Sequence, residues 1–321
     1  MKLAFIIDPI NLLDPSHDTS VALMEAAQAL GHEVWITCTN QLTVMHSKAW
    51  ATLKQVELTP VELLEGRYVV KNPWYKLGNS SFVSLETMDV VFMRTDPPVD
   101  DAYLFATYIL DYIDPRHTLT VNNMSGIRGA NEKMYALQFT DAIPETIVSA
   151  EAKVIQKFVE NKGAGILKPL GNKAGEGILF LQPGDRNFNS MLELSTYRGK
   201  VPVMVQAYLK EAKEGDKRII LLNGEPIGAL NRLSAAGEFR NNMAAGGTVA
   251  ACDITSREYE ICDQLAPILR RDGLIFVGID VIGGYLTEVN VTSPTGIREI
   301  DRFNHQNLGK QVIEWIEKAK N

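Results

Sequence analysis

The chain has 321 residues, 45% hydrophobic and 22% charged, the size and texture of an ordinary water-soluble protein with two or three packed lobes. A formal net charge of −7 without basic blocks argues against a nucleic-acid partner, and no run approaches the ~20 apolar residues of a membrane span. Cys38, Cys252 and Cys262 are too few and scattered for a disulfide framework or a zinc finger, and read as reduced thiols of a cytoplasmic protein.

The chain opens on MKLAFIID with no cleavable signal ahead of it; residues 2–7 read as a buried strand ending at Asp8 and Pro9. Asp18 can cap a helix running to Leu30 through Val21, Leu23, Met24 and Ala27, with Gly31 as its stop. Residues 34–37 make the next strand. This β-α-β opening lacks a G-x-G-x-x-G after its first strand, which argues against a nicotinamide or flavin dinucleotide. A strand at 89–93, a helix at 102–112 and an extended segment at 118–121 complete a small α/β domain over residues 1–122. Asp8, Arg94 and Asp96 fall just past strand ends, where open parallel sheets bind ligands; Asp96 reads more readily as a turn former.

From residue 122 the texture turns to α+β. Residues 131–139 and 151–162 read as helices, and 166–169, 178–181 and 201–208 as strands. Segments 217–222 and 226–230 flank Asn223-Gly224, a strong hairpin signal, and 276–282 and 285–291 flank Gly283-Gly284. Residues 308–318 form an amphipathic helix.

Asp280, Glu288 and Asn290 lie on the second hairpin among apolar residues. A two-residue loop sets Asp280 opposite Thr287; an odd-length loop centred on Gly284 sets it opposite Glu288. The odd loop is expected, because two carboxylates forced together need a counter-ion, and magnesium is a hard cation that prefers oxygen ligands. A solvent-facing polar row is the plain alternative. Lys168 sits in an apolar strand, GILKPL, where a lysine is costly without an anion such as phosphate. Lys133 starts a predicted helix, where a cation is disfavoured unless an anion binds, although a surface lysine is the preferred reading of these residues alone.

After Lys168 comes the loop Gly171, Asn172, Lys173, Ala174, Gly175, Glu176 and Gly177. Its glycines allow close backbone approach to a polyphosphate, but it lacks the G-K-[ST] of a Walker A loop. Such a loop can act as a lid. Asp216, Lys217, Arg218, Arg232, Arg240 and Asn242 gather around the first hairpin, with Gly246 beyond. Arg218 and Arg232 are equally distant from its turn and call for a counter-ion, either a ligand anion or Asp216 or Glu225. Ser293 can cap a helix with Pro294 at its first position, running through Ile297, Ile300 and Phe303. The five histidines show no ligand spacing.

Taken together, ILKPL and the glycine loop, VQAYL, GDKR and FVGIDVIGGYLTEVNVTSPTGIREI resemble the bacterial glutathione synthetases of the ATP-grasp superfamily. FIIDPI, MRTDPP, ATYIL, NEK, PET and AAGG extend the resemblance along nearly the whole chain. It implies an ATP-grasp fold over residues 123–321, with a lid subdomain at about 145–204 and a catalytic subdomain at about 205–321, preceded by a Rossmann-like pre-ATP-grasp domain. It further implies phosphate contacts from Lys133, Lys168 and the glycine loop, and an adenine hinge of Gln206, Ala207, Tyr208 and Leu209. Asp280, Glu288 and Asn290 become ligands of two magnesium ions, with manganese as a substitute. Asp8, Arg94, Asp216, Arg218, Arg232, Arg240, Asn242, Gly246, Ser293, Pro294 and Thr295 become substrate contacts. Arg218, Arg232 and Lys168 are the expected catalytic cations.

The implied reaction joins γ-glutamylcysteine to glycine through an acyl phosphate, releasing ADP and phosphate, in a homotetramer or homodimer. The glycine loop departs from the DGMGG-like form of the family, so Lys173 and Glu176 bear on lid closure. Two alternatives stay open, an ATP-grasp ligase for another acidic peptide and a non-catalytic ATP-binding module.

Overall fold

The computed structural model describes residues 1–173, 175–235 and 247–320. The first strands are β1 (Lys2–Ile6), β2 (Glu33–Thr37), β3 (Leu42–Met45), β4 (Lys48–Leu58), the small hairpin β5 (Glu62–Leu64) and β6 (Arg67–Val69), β7 (Tyr75–Ser84), β8 (Val90–Met93) and β9 (Leu119–Val121). Apart from β5 and β6, they form one sheet in the order β3-β4-β2-β1-β8-β9, with β7 also pairing β4. β1, β2, β8 and β9 pair in parallel. Helices α1 (Thr19–Ala29) and α2 (Asp101–Leu110) cover this sheet, which explains unbroken apolar runs such as LAFI and VVFM. Phe5 stacks on Phe92 at 4.4 Å within it. Asp18 caps α1 by accepting the Val21 N–H at 2.8 Å, as expected.

After α3 (Met124–Gly129), a second sheet comprises β10 (Thr146–Ser149), β11 (Gly165–Pro169), β12 (Leu179–Leu181) and β13 (Val203–Ala207), antiparallel in the order β10-β13-β11-β12. Helices α4 (Ala152–Lys162) and α5 (Phe188–Ser195) bury Ile155, Val159 and Leu192 against Leu167, Leu181 and Val205, giving this unit its own core. The third sheet holds β14 (Asp216–Leu222), β15 (Glu225–Leu233), β16 (Thr248–Ala251), β17 (Phe276–Ile282) and β18 (Tyr285–Asn290), in the order β16-β15-β14-β17-β18. Helices α6 (Ser256–Arg271), α7 (Ile297–Asn304) and α8 (Leu308–Lys320) complete the chain.

The third sheet shares its core with the first. Leu308, Val312, Ile313 and Ile316 of α8 belong to one apolar cluster with Leu3, Val21, Leu23 and Ile220. Buried Asn122 stitches the two regions, donating to the Phe276 and Val291 carbonyls at 2.8 Å and accepting the Phe276 N–H at 2.7 Å.

Both glycine-bearing hairpins turn in two residues. Asn223 and Gly224 have φ of 50° and 83°, Gly283 and Gly284 of 56° and 78°, the positive pair of a type I′ turn. The odd-length loop expected around Gly284 is therefore overturned, since Ile282 pairs Tyr285 and Val281 pairs Leu286. Asp280 nevertheless faces Glu288, because a bulge at Thr287 shifts the register. The outer edge of β18 explains the shift. The N–H groups of Leu286, Val289 and Val291 donate outward to Ala142 O, Glu132 O and Glu132 Oε1, a sequence that advances by three positions at the bulge and by two afterwards.

Three further expectations change. The helix expected at 131–139 is a 3-10 turn, Met134–Gln138, at whose start the N–H groups of Lys133 and Met134 are taken by the Asn131 side chain. The helix expected from Ser293 begins at Ile297, with no side-chain cap. The Pro294 and Thr295 carbonyls are instead held by Arg94 Nη2 at 2.9 Å and Arg218 Nη1 at 3.2 Å. Helix α6 was not expected; its Thr255–Glu258 capping box was the available signal, and Pro267 inside the pattern argued against a helix.

Candidate active site

A cleft of about 310 Å³ opens between the second and third sheets, with Asp96 and Pro97 of the first domain at its rim. The second sheet contributes Lys168 from β11 and Gln206 and Ala207 from β13, followed by Tyr208 and Leu209. Tyr208 packs edge-on to Phe180 at 5.1 Å. The N–H groups of Ala207 and Tyr208 bond to Glu145 O at 2.8 Å and Ala164 O at 3.2 Å, which fixes this strand end against its neighbours. Asn172, Lys173, Gly175 and Glu176 cover the cleft from the glycine loop.

The third sheet supplies the charges. Antiparallel register sets Arg218 opposite Asp280 and Arg232 opposite Asp216. Arg218 and Arg232 are therefore not facing partners, because a bulge near Ile220 offsets the positions counted from the turn. Their counter-ions are protein carboxylates. Arg218 grips both oxygens of Asp280, and Arg232 Nη2 bridges Asp216 Oδ2 at 2.7 Å and Asp280 Oδ2 at 2.9 Å. Glu225, the other expected partner, pairs with Arg270. All four network side chains are buried. Burial alone raises the Asp280 carboxyl, but the two guanidiniums pull it well below the usual range. Burial pushes Asp216 up to about 6 against the pull of Arg232, and its Oδ1 has no partner.

Lys133 is 5% exposed, which overturns the surface-lysine alternative. Its Nζ reaches Glu288 Oε1 at 3.1 Å and donates to the Asn172 carbonyl at 2.7 Å. Lys168 is also buried, and its nearest acceptor is Thr287 O at 3.5 Å. Burial lowers its ammonium pKa, which Glu288 and Asp216 only partly offset. Two cations thus point into one cavity with donor capacity to spare, an arrangement suited to a polyphosphate.

Asp280, Glu288 and Asn290 offer only oxygen donors to a cation. Asn290 turns its amide nitrogen to Gly278 O at 3.2 Å, so its carbonyl oxygen is the end left for a ligand. A carboxylate has about four lone-pair sites, and Asp280 uses three on arginine N–H groups. Two carboxylates and an amide oxygen suit a hard divalent ion that completes its shell with phosphate oxygens and water.

Other expected residues are distributed less simply. Ser293, Pro294 and Thr295 line the cleft. Arg94 does not; it is 4% exposed, donates to Ser20 Oγ at 3.1 Å and supports the Pro294 carbonyl from behind. Asp8 is likewise outside the lining and accepts the Asp96 N–H at 3.1 Å. Gly171 and Gly177 shape the loop without lining the cleft. Ala174, Arg240, Asn242 and Gly246 lie outside the described residues.

Sequence reasoning missed Glu132. It lines the cleft, and its Oε1 accepts the Val291 and Thr292 N–H groups and the Thr292 hydroxyl at 2.8–3.1 Å. Burial and neighbouring Glu288 raise its pKa. A glutamate at the edge of a polar NEK segment carries no local mark of burial. Among the described residues no helix is long and apolar enough to cross a membrane.

Two family models cover most of the chain, the prokaryotic glutathione synthetase N-terminal domain over residues 1–128 and its ATP-grasp domain over 132–305. The chain is 74% identical over 318 residues to a glutathione synthetase of Nostoc sp., with 99% of this chain and 98% of that one covered. A glutathione synthetase of Thermosynechococcus vestitus is 62% identical, covering 98% and 99%. Among solved structures, the D-cycloserine synthetase DcsG superposes with a TM-score of 0.67 at 13% identity over 100% of both chains. The ATP-grasp ligase PsnB, solved with Mg, ADP and a phosphomimetic variant of its minimal precursor, gives 0.63 at 14% over 99% and 98%. At such identities these two speak for the fold alone.

Proposed function

Since the chain belongs to the prokaryotic glutathione synthetase family, we propose that its cleft joins γ-glutamylcysteine to glycine using ATP. The observation that carries this reading is the convergence of buried Lys133 and Lys168, the glycine loop and the Asp280–Glu288–Asn290 oxygen set on one 310 Å³ cavity. Adenine would rest along residues 206–209, with its phosphates directed at the two lysines beneath the loop. The cysteinyl carboxylate of the dipeptide attacks the γ-phosphorus, ADP leaves, and the resulting acyl phosphate is attacked by the glycine amine, which expels phosphate. This chemistry asks the protein for position and charge neutralisation and for no enzyme nucleophile.

Lys168 and Lys133 carry the positive charge that faces the transferring group, and Arg218 and Arg232 extend it along the wall while holding Asp280 in place. Asp280, Glu288 and Asn290 would hold two magnesium ions, with manganese able to substitute; bound there, the metal neutralises and orients phosphate oxygens. Ser293, Pro294 and Thr295 mark the acceptor end, positioned through Arg94 and Arg218. The proposed organisation is an N-terminal domain to residue 122, a lid subdomain at about 145–204 and a catalytic subdomain beyond. The free thiols of Cys38, Cys252 and Cys262 support a reducing, cytoplasmic setting. Family likeness favours a homodimer or homotetramer, which sedimentation of the purified chain would measure.

The test is ADP release with ATP and magnesium, comparing γ-glutamylcysteine plus glycine with other peptides and amino acids. Turnover requiring both substrates, with glutathione as product, is the expected result. Release with a different pair would move the specificity elsewhere, and release with no pair would leave a nucleotide-binding module.

A further inference from the structure

We propose that Lys173 and Asp96 form a latch that holds the glycine loop across the cleft mouth, making both positioning residues that keep water from the activated intermediate. Lys173 Nζ reaches Asp96 Oδ2 at 2.8 Å, joining the β11–β12 loop to the segment after β8, 77 positions away. The two walls have different foundations. Lys173 belongs to the unit with its own core of Ile155, Leu167 and Val205, whereas Asp96 belongs to the sheet that shares its core with α8 and the third sheet. An ion pair between them spans the boundary along which a lid would open.

Each end of the latch is itself anchored. The Asp96 N–H donates to Asp8 Oδ2 at 3.1 Å, which fixes the acidic end. At the loop, Asn131 Nδ2 holds Leu170 O at 3.0 Å and Lys133 Nζ holds Asn172 O at 2.7 Å. The residue next to Lys173 is thus fastened by a lysine facing the phosphate end of the cleft, while Lys173 fastens the other side. Asp96, Pro97, Asn172 and Lys173 all line the cavity. The pair itself stands at the rim, with 43% and 46% of the two side chains exposed, so it closes the entrance rather than filling the site.

The consequence rests on the ligase reading above. An acyl phosphate in an open site is lost to water. The water oxygen bonds to the carbonyl carbon, the bond from that carbon to the phosphate oxygen breaks, phosphate leaves, and a proton passes to solvent. The dipeptide carboxylate returns, and one ATP has become ADP and phosphate without a peptide bond. A latch that favours the closed loop lowers this leak. A half-exposed ion pair is weak and screened by salt, so its effect is modest and fades as ionic strength rises.

The experiment measures ADP formed per glutathione formed at limiting glycine, with wild type, Asp96→Asn, Lys173→Met and the double variant. Each single change is expected to raise the uncoupled ADP release by about two- to fivefold. The double variant should leak no more than either single, and added salt should bring wild type toward the variants while the melting temperature holds. Equal coupling in all four proteins overturns the latch, as do single effects that multiply in the double. A weaker nucleotide affinity in Lys173→Met alone would make Lys173 a phosphate contact and also overturn it. Tryptic cleavage after Lys173 reads the loop without any turnover, and should be about two- to fivefold faster in Asp96→Asn. Wild type that makes no glutathione would sink the ligase reading; the cleavage rates would still decide the latch.

Discussion

Replacing Arg232 with methionine removes a guanidinium from between two buried carboxylates. Its Nη2 lies 2.7 Å from Asp216 and 2.9 Å from Asp280, and the side chains of all three are at most 12% exposed. Breaking such a pair by deleting one partner costs about 3–5 kcal/mol, because the other charge stays buried without compensation. Asp280 retains Arg218, so the loss falls mainly on Asp216, and the lower end of that range applies. An unfolding entropy of about 2.1 cal/mol/K per residue amounts to about 0.7 kcal/mol/K over 321 residues. A loss of about 3 kcal/mol then lowers the melting temperature by roughly 4–5 °C, more if the nucleotide-binding part unfolds separately.

The loss must also depend on pH. Asp216 titrates near 6 in the folded protein, above its unfolded value of 3.8. An acid raised in this way contributes stability below its unfolded pKa and loses that contribution as pH rises through the folded one. Without Arg232 the folded value moves higher still. The deficit should therefore be full at about pH 8 and shrink toward about pH 5, where Asp216 escapes by taking a proton. Scanning calorimetry at both pH values decides the matter. A deficit of equal size at both, or one under about 1 kcal/mol, would refute the reasoning. Adding Asp216→Asn should recover more than half the loss, since removing both partners of a buried pair is close to neutral; no recovery would refute it as well.

Glu288→Gln should lower ligation at least about a hundredfold while circular dichroism stays native, because it weakens the hold on a metal whose neutralisation of phosphate charge is worth several kcal/mol; full turnover would remove Glu288 from the metal set. Lys168→Met should weaken ATP binding by about ten- to a hundredfold in a calorimetric titration, the value of one charge-assisted hydrogen bond. An unchanged affinity would end its phosphate role. Asp301, which accepts the Leu308 N–H at 2.8 Å, is pushed by burial up to about 7. Asp301→Asn should therefore stabilise the fold by on the order of 1 kcal/mol at about pH 8 and by little below about pH 4, read as a shift in melting temperature.

Local signals carried much of this architecture. The apolar runs of β1 and β8, the Asp18 cap and the Asn223–Gly224 turn are decided within a few residues, and the sequence exposes them. The long antiparallel pair β4 and β7 was missed, although KAWATLKQVEL buries Ala49, Ala51 and Leu53 in alternation. Trp50, Thr52 and Lys54 at the alternate positions are only half-buried, which blurs the alternation. The Asp280–Glu288 juxtaposition was anticipated, but from the wrong backbone. Loop length could not reveal it, because the shift is imposed from the far edge of β18 by Glu132 and Ala142.

The same cause explains the charge network. Residue types and spacing identified Arg218 and Arg232 as groups that need a counter-ion and offered Asp216 as one, but not that Asp280 answers both. That pairing depends on β14 lying between β15 and β17, a neighbour relation that joins residues 62 positions apart in Arg218–Asp280. Arg94 makes the point at longer range. It looked like a substrate contact, and it supports a carbonyl 200 positions away, so its loss would act on the acceptor end through the 293–296 loop. The distinction has a kinetic form. Removing a side chain that touches the peptide raises KM for that peptide, whereas a displaced Pro294 carbonyl disturbs alignment at the reacting carbon and lowers kcat. Arg94→Lys keeps the charge but not the two-armed grip on Ser20 and Pro294, so a fall in kcat with KM held would mark Arg94 as support for the site rather than part of its wall.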